Sequence, residues 1–142
     1  MAEKDSIVLT FDVDSDDLTR AGEASSRLKR TLKQMGLPPD IIRRISIVMY
    51  EGEINMVIHA HGGKITVTVD DDAVTMVLAD IGPGIPDVEK AMQAGWSTAS
   101  EAVRQQGFGA GMGLPNMKKN ADTLEIDTVV GVGTTVTAVV RL

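Results

Sequence analysis

Residues 40–60 read DIIRRISIVMYEGEINMVIHA. The segment predicts a helix that is apolar on most sides, through Ile41, Ile42, Ile45, Ile47, Val48, Met49, Ile54, Met56, Val57 and Ile58. A surface helix carries one apolar stripe, so a helix of this kind is buried on more than one face. Pro38-Pro39-Asp40 punctuates the chain before it, and His61-Gly62-Gly63 ends it.

Strands and helices unfold outward from that helix. Ahead of it, Ile7-Val8-Leu9-Thr10-Phe11-Asp12 reads as a β-branched strand. Leu18, Ala21, Ser25, Leu28, Leu32 and Met35 then recur at spacings of three and four, which predicts an amphipathic helix capped by Ser15 and stopped at Gly36. Behind it, Lys64 to Val69 alternates as a half-buried strand, Asp70-Asp71-Asp72 turns, and Val74 to Asp80 returns as the second arm of a hairpin. Helical pieces broken by glycine, serine and threonine run from Pro86 to about Asp122. A second hairpin joins Leu124–Thr128 to Thr134–Arg141 across Val130-Gly131-Val132-Gly133. The order β-α-α-β-β-α-α-β-β predicts an α+β fold, a two-layer α/β sandwich whose mainly antiparallel mixed sheet is covered on one face by helices.

Composition bounds what such a fold does. The 142 residues, 43% hydrophobic, suit a single domain over residues 1–142. With no cysteine there is no disulfide framework and no thiolate metal site. A net charge of −6 argues against a general nucleic-acid binder. Neither a signal sequence nor an apolar run of membrane-spanning length is present, so the expected location is cytoplasmic, with no membrane partner. Aromatic residues make up only 3%, leaving the core to aliphatic side chains and some of the eight methionines.

Polar residues interrupt the apolar pattern at a few places. Glu51, Asn55 and His59 lie four apart and form one stripe on the buried helix. Leaving them unpartnered would cost several kcal/mol, so a hydrogen-bonded network or a ligand must face them. Asp80 shares strand parity with Val74, Met76 and Leu78, placing its carboxyl group on the core side at the end of an apolar row. A carboxylate there wants a donor, and the amino group of adenine is one. Gly82 and Gly84, around Pro83 and before Ile85, allow close approach. Gly107, Gly109, Gly111 and Gly113 fall on every second residue before a helical pattern resumes at Leu114. Backbone amides leading into a helix N-terminus make an anion site, although this is neither a Walker A loop nor a dinucleotide fingerprint. Thr134, by parity with Val136, Ala138 and Val140, also faces the buried side and could supplement Asp80. An acceptor for a base, a carboxyl-amide pair for a metal and water, and a phosphate cradle together describe a nucleotide site. Each has a plainer reading as turn, loop or satisfied core polar group.

The ordered motifs resemble the Bergerat-fold (GHKL) ATPases. Glu51-x-x-x-Asn55 is similar to the N box, Asp80-x-Gly82-x-Gly84-Ile85 to the first glycine box, Gly107 to Leu114 to the second, and Gly133-Thr134-Thr135 to the terminal Gly-Thr element. Within that superfamily the chain most resembles the short bacterial anti-sigma-factor and serine-protein-kinase group, through Glu51 to Ala60, Asp80 to Pro86, Gly95-Trp96-Ser97-Thr98 and the glycine loop running into Leu114-Pro115. The resemblance implies ATP and Mg2+ as cofactors, Glu51 as general base, Asn55 as magnesium ligand, Asp80 as adenine reader, and Gly95 to Gly113 as a lid over the phosphates. It also implies a serine/threonine protein kinase acting on a STAS-domain antagonist, with a sigma factor as a further partner. A homodimer is common in that group. Two rival readings are a non-catalytic anti-sigma module and the catalytic part of a split sensor histidine kinase. Gly52, beside the implied base, departs from good helix composition, and the four-glycine loop is richer than in the anti-sigma branch.

Other residues have bland expectations. Glu53 is a rival base on a different helix face, expected to meet solvent or a salt bridge. His59 and His61 do not share a face and read as a core and a loop histidine rather than a metal pair. Trp96 reads as a lid anchor or as packing. Arg104 is expected to be a solvated charge with reach to a phosphate, and Lys118 and Lys119 solvated charges. Asp12, Asp14, Asp16 and Asp17 lack the glycine and distal glutamate of a calcium loop.

Overall fold

The computed structural model describes residues 6–14, 20–93 and 113–142. Its elements are β1 (Ile7–Val13), α1 (Glu23–Gln34), α2 (Pro39–His59), β2 (Gly63–Val69), β3 (Ala73–Asp80), α3 (Val88–Ala91), α4 (Gly113–Asn120), β4 (Thr123–Val129) and β5 (Gly133–Arg141). The strands form one sheet in the order β1-β2-β3-β5-β4. Every pairing among them is antiparallel, so the mixed character expected from sequence is absent from the described strands while the α+β sandwich is observed. No helix among the described residues is long and apolar enough to cross a membrane.

Strand parity builds the core. Phe11 pairs with Ile65, Ile65 with Leu78, Leu78 with Val136 and Val136 with Ile126, a continuous apolar row across all five strands. A parallel row runs through Leu9, Val67, Met76, Ala138 and Leu124. The helices lie on this face, contributing Leu28 and Leu32 from α1, Ile45, Val48 and Met49 from α2, and Leu114 and Met117 from α4 to the same core. Proline at the first position of α2 suits a site where an amide has no intrahelical partner.

The start of α1 differs from expectation. Its N-cap is Gly22, in the left-handed region at φ 94°, and the helix begins at Glu23, so Ser15 does not cap it. Ser15 and Leu18 lie outside the described residues. Gly36, at φ 80°, follows the end of α1 as expected, whereas Met35 is an exposed C-cap and not part of the apolar stripe.

Glu53 does the capping instead, which overturns its expected place in solvent or a salt bridge. The residue is only 3% exposed. Its Oε2 accepts from the Gly22 and Ala24 amides at 3.0 and 3.1 Å, and its Oε1 from the Ser25 amide at 3.0 Å and the Ser25 hydroxyl at 2.7 Å. First-turn amides have no intrahelical acceptor, and Gly22 has no side chain to offer one, so a carboxyl group from the neighbouring helix takes that role.

Gly52, one residue earlier, faces the sheet. A Cβ built there would lie 2.3 Å from Leu78 Cδ2 and 3.1 Å from Met117 Cε. The helix weakness of glycine is therefore offset by a close approach of α2 to β3 that any side chain would block.

Glu53→Gln tests the capping role. Either orientation of the amide turns an NH2 toward two protein donors, so this isosteric change is expected to cost about 2–3 kcal/mol. Urea denaturation should show a lowered midpoint with an unchanged slope.

Candidate functional site

Helix α2 brings Glu51, Asn55 and His59 to one flank, each half-buried. This flank meets α4. A Cβ on Gly113 would lie 3.0 Å from both Nδ2 and Oδ1 of Asn55, so the backbone at the start of α4 rests directly on that amide. One turn further along α4, Asn116 lies half-buried on the face that Gly113 shares. Burial pushes the Glu51 carboxyl above its ordinary range, an effect that outweighs the opposing influence of the Asn116 side chain. His59 is held below the usual imidazole range by burial, while His61 is exposed on the loop.

The exit of α2 is stitched to the segment after β3. His61 N–H donates to the Ile81 carbonyl at 2.7 Å, Ile81 N–H to the Gly62 carbonyl at 3.1 Å, and Gly62 N–H to the Met56 carbonyl at 3.2 Å. Asp80 is thereby fixed relative to the Glu51–Asn55 flank. Its register partner on β2 is Gly63, at φ 150°, whose absent side chain would strike the Ala79 carbonyl at 2.1 Å.

Asp80 closes the polar end of the inner face beside Thr134 and Thr128, which pair with each other across β5 and β4. The Thr134 backbone N–H donates to Asp80 Oδ1 at 2.9 Å, so Thr134 supports Asp80 through its amide. Its hydroxyl, in a residue only 5% exposed, meets the Thr128 hydroxyl at 2.9 Å. Thr128 Oγ1 in turn accepts from the Ile85 amide at 2.8 Å. Burial raises the Asp80 carboxyl above its usual range, and the Thr134 amide lowers it in part.

The turn after Asp80 is closely packed. A Cβ on Gly82 would come within 2.8 Å of Ala60 Cβ, and one on Gly84, at φ 77°, within 2.7 Å of the Val129 carbonyl. Gly82 N–H donates to the Val132 carbonyl at 3.1 Å, tying the turn to the β4–β5 hairpin. Ile85 packs against the core, and the Leu114 side chain is buried in it, leaving Leu114 only backbone atoms to offer a ligand. Gly107, Gly109, Gly111, Trp96 and Arg104 lie outside the described residues; Lys118 and Lys119 are exposed.

Sequence reading brings Glu51, Asn55, Asp80 and Thr134 forward and misses Thr128. Parity could have found Thr128, which alternates with Leu124 and Ile126. Among the described residues no group of three or more acidic or histidine side chains could hold a metal ion. Asn55 offers one amide oxygen on this flank, which would suit a cation that takes its other oxygens from a ligand and water.

A family profile describing the histidine kinase-like ATPase domain matches residues 15–140. The chain belongs to that family. Its sheet, helical layer and ordered motifs are those of the GHKL-type, Bergerat-fold ATPases close to the anti-sigma factors. It is 37% identical over 100 residues to an anti-sigma F factor of Caldanaerobacter subterraneus subsp. tengcongensis, covering 67% of this chain and 66% of that protein. Against the serine/threonine-protein kinase RsbT of Bacillus subtilis it is 31% identical over 121 residues, covering 82% and 85%. An anti-sigma F factor of Bacillus licheniformis is 32% identical over 111 residues, covering 74% and 73%.

The raised Asp80 carboxyl makes a signed prediction. A folded-state pKa above the unfolded one contributes stability that is present below the unfolded value, near pH 4, and lost as pH rises through the folded value. Asp80→Asn keeps an acceptor for the Thr134 amide and removes the charge. It should stabilise the ligand-free histidine kinase-like domain at pH 7, with the gain shrinking toward pH 4, in urea titrations at several pH values.

Proposed function

We infer that this protein is an ATP- and magnesium-dependent serine/threonine protein kinase of the anti-sigma-factor type. The acceptor in this reading is a serine on a STAS-domain antagonist in a bacterial partner-switching cascade, with a single catalytic domain over residues 1–142 working in the cytoplasm. The observation that carries it is the half-buried Glu51, beside Asn55, on a helix whose exit is tied to Asp80. The match to RsbT over most of both chains supports the choice of kinase.

In this reading Asp80 accepts from the adenine amino group, with Gly82, Gly84 and Ile85 lining the base and Thr134 holding the carboxyl in place. Gly107, Gly109, Gly111, Gly113 and the Leu114 backbone cradle the phosphates. Asn55 contributes the protein's oxygen to the metal. Bound magnesium would neutralise charge on the phosphates, as in other phosphoryl transfers. Glu51 takes the proton from the acceptor hydroxyl as its oxygen bonds to the terminal phosphorus and the bond to the departing ADP breaks. A carboxyl raised by burial is better matched to that task than one with an ordinary pKa. Since the base must be ionised, activity should fall as pH drops through the raised value.

The test uses Mg-ATP and the STAS-domain proteins of the same genome. Wild type should place phosphate on a serine, and Glu51→Gln should lower transfer by at least about a hundredfold while still binding nucleotide. Asp80→Asn should weaken nucleotide binding by roughly tenfold to a hundredfold through the lost charged acceptor. Equal transfer by wild type and Glu51→Gln would sink the reading. The anti-sigma F relatives favour one alternative, a module whose nucleotide sets partner choice; partner affinity that depends on ATP without any transfer would select it.

A further inference from the structure

Helix α4 lies antiparallel along α2 and meets it at three levels. Gly113 at its start rests on Asn55, and Met117 one turn on reaches Gly52. At its far end the Arg44 guanidinium donates through Nε to the Asn120 carbonyl at 3.0 Å and pairs through Nη2 with Asp122 at 3.4 Å. Asp122 Oδ2 also accepts from the Arg141 amide at 2.6 Å, and the Asp122 amide donates to the Val139 carbonyl at 2.8 Å, so the residue after the helix is fastened to β5. The Asn120 side chain folds back onto the Asn116 carbonyl at 2.9 Å and leaves its own carbonyl to Arg44.

These levels differ in kind. The first two are close approaches over glycine, which limit how near the helices come but not how far one slides along the other. The third is directional. A planar guanidinium meets two acceptors at once, and one of them is a carbonyl that a helix C-terminus leaves without an intrahelical partner. At eight residues, α4 is too short to be stable without such contacts. Sliding it by one residue would carry Gly113 about 1.5 Å along Asn55.

We propose that Arg44 is a positioning residue for the phosphate side of the site: by latching the C-terminal end of α4 to α2, it fixes where the Gly113 end rests against Asn55. The proposal rests on the reading of Asn55 and the Gly113 backbone as holders of metal and phosphate. Arg44 and Asn55 stand about three turns apart on α2, so the guanidinium acts through α4. The base side is held by other bonds. Asp80 is fixed by the Thr134 amide, and its turn by the His61–Ile81 and Gly82–Val132 backbone bonds, none of which involves α4. With side chains 28% and 31% exposed, the Arg44–Asp122 pair contributes little to global stability, so losing the latch is expected to leave the domain folded.

Two ligands separate this role from general packing. The Kd values of Mg-ATP, which engages both sides of the site, and of adenosine, which engages only the base side, would be measured on the full chain by titration calorimetry. Arg44→Met keeps the aliphatic stem and removes the latch. It is expected to weaken Mg-ATP by about tenfold and adenosine by less than about twofold. Asp122→Asn keeps an acceptor for the Arg141 amide and removes the charge facing Arg44. It should show the same selectivity with a smaller loss and add nothing in the Arg44→Met background, and it carries the test if the methionine variant folds poorly. Equal weakening of both ligands, or an unchanged Mg-ATP affinity in both variants, would overturn the latch. A wild-type protein that binds neither ligand would instead overturn the nucleotide reading itself.

Discussion

Three residues of α2 within about one turn are each committed to a different neighbour. Gly52 admits Leu78 of β3, Glu53 closes the first turn of α1, and Asn55 carries the start of α4 at Gly113. Successive residues on a helix point about 100° apart, so a helix gripped from three directions within one turn has its rotation about its own axis fixed. Rotating α2 to improve any one of these contacts would break the others. The position of Asn55, four residues on from Glu51, and of the Asp80 turn beyond it follow from that fixed rotation.

Glycine makes the grip possible twice over. Gly52 lets α2 approach β3, and Gly113 lets α4 approach α2, so the helical layer sits closer to the sheet and to itself than side chains would permit. Gly52, inside α2, would weaken an isolated helix by roughly 1 kcal/mol relative to alanine. Tertiary packing overrides that local preference, and in both cases the close approach falls within one helical turn of Glu51 or Asn55. Among the described residues, the glycines that lie within helices are thus found where backbones come together around the polar flank.

Much of this was legible in the sequence, and the reasons for success and failure differ by element. Asp80 and Thr134 could be assigned to the inner face because strand parity is a local rule, and the register Leu78–Val136 then brings them side by side. The many-sided burial of α2 was legible from composition alone. Glu53 was not, because a glutamate between a buried glycine and a buried isoleucine looks like an exposed charge until the start of α1 is known to lie over it. Ser15 fails as the cap for the complementary reason: serine is a good N-cap by local chemistry, but the helix begins at Glu23 and takes its acceptor from another element.

Glu53 also shows how this fold treats its carboxyl groups unequally. It receives four donors and is finished as a structural element. Glu51 and Asp80 are partly desolvated, and burial raises both; among the described residues the Thr134 amide is the hydrogen bond that works against that rise at Asp80. Such groups cost the ligand-free fold some stability when ionised. Any ligand that supplies the missing donors relieves that cost at the moment it binds, and its binding energy is then coupled to folding through mass action. Half-satisfied carboxyls of this kind, which weaken the empty domain, would favour an occupant rich in hydrogen-bond donors.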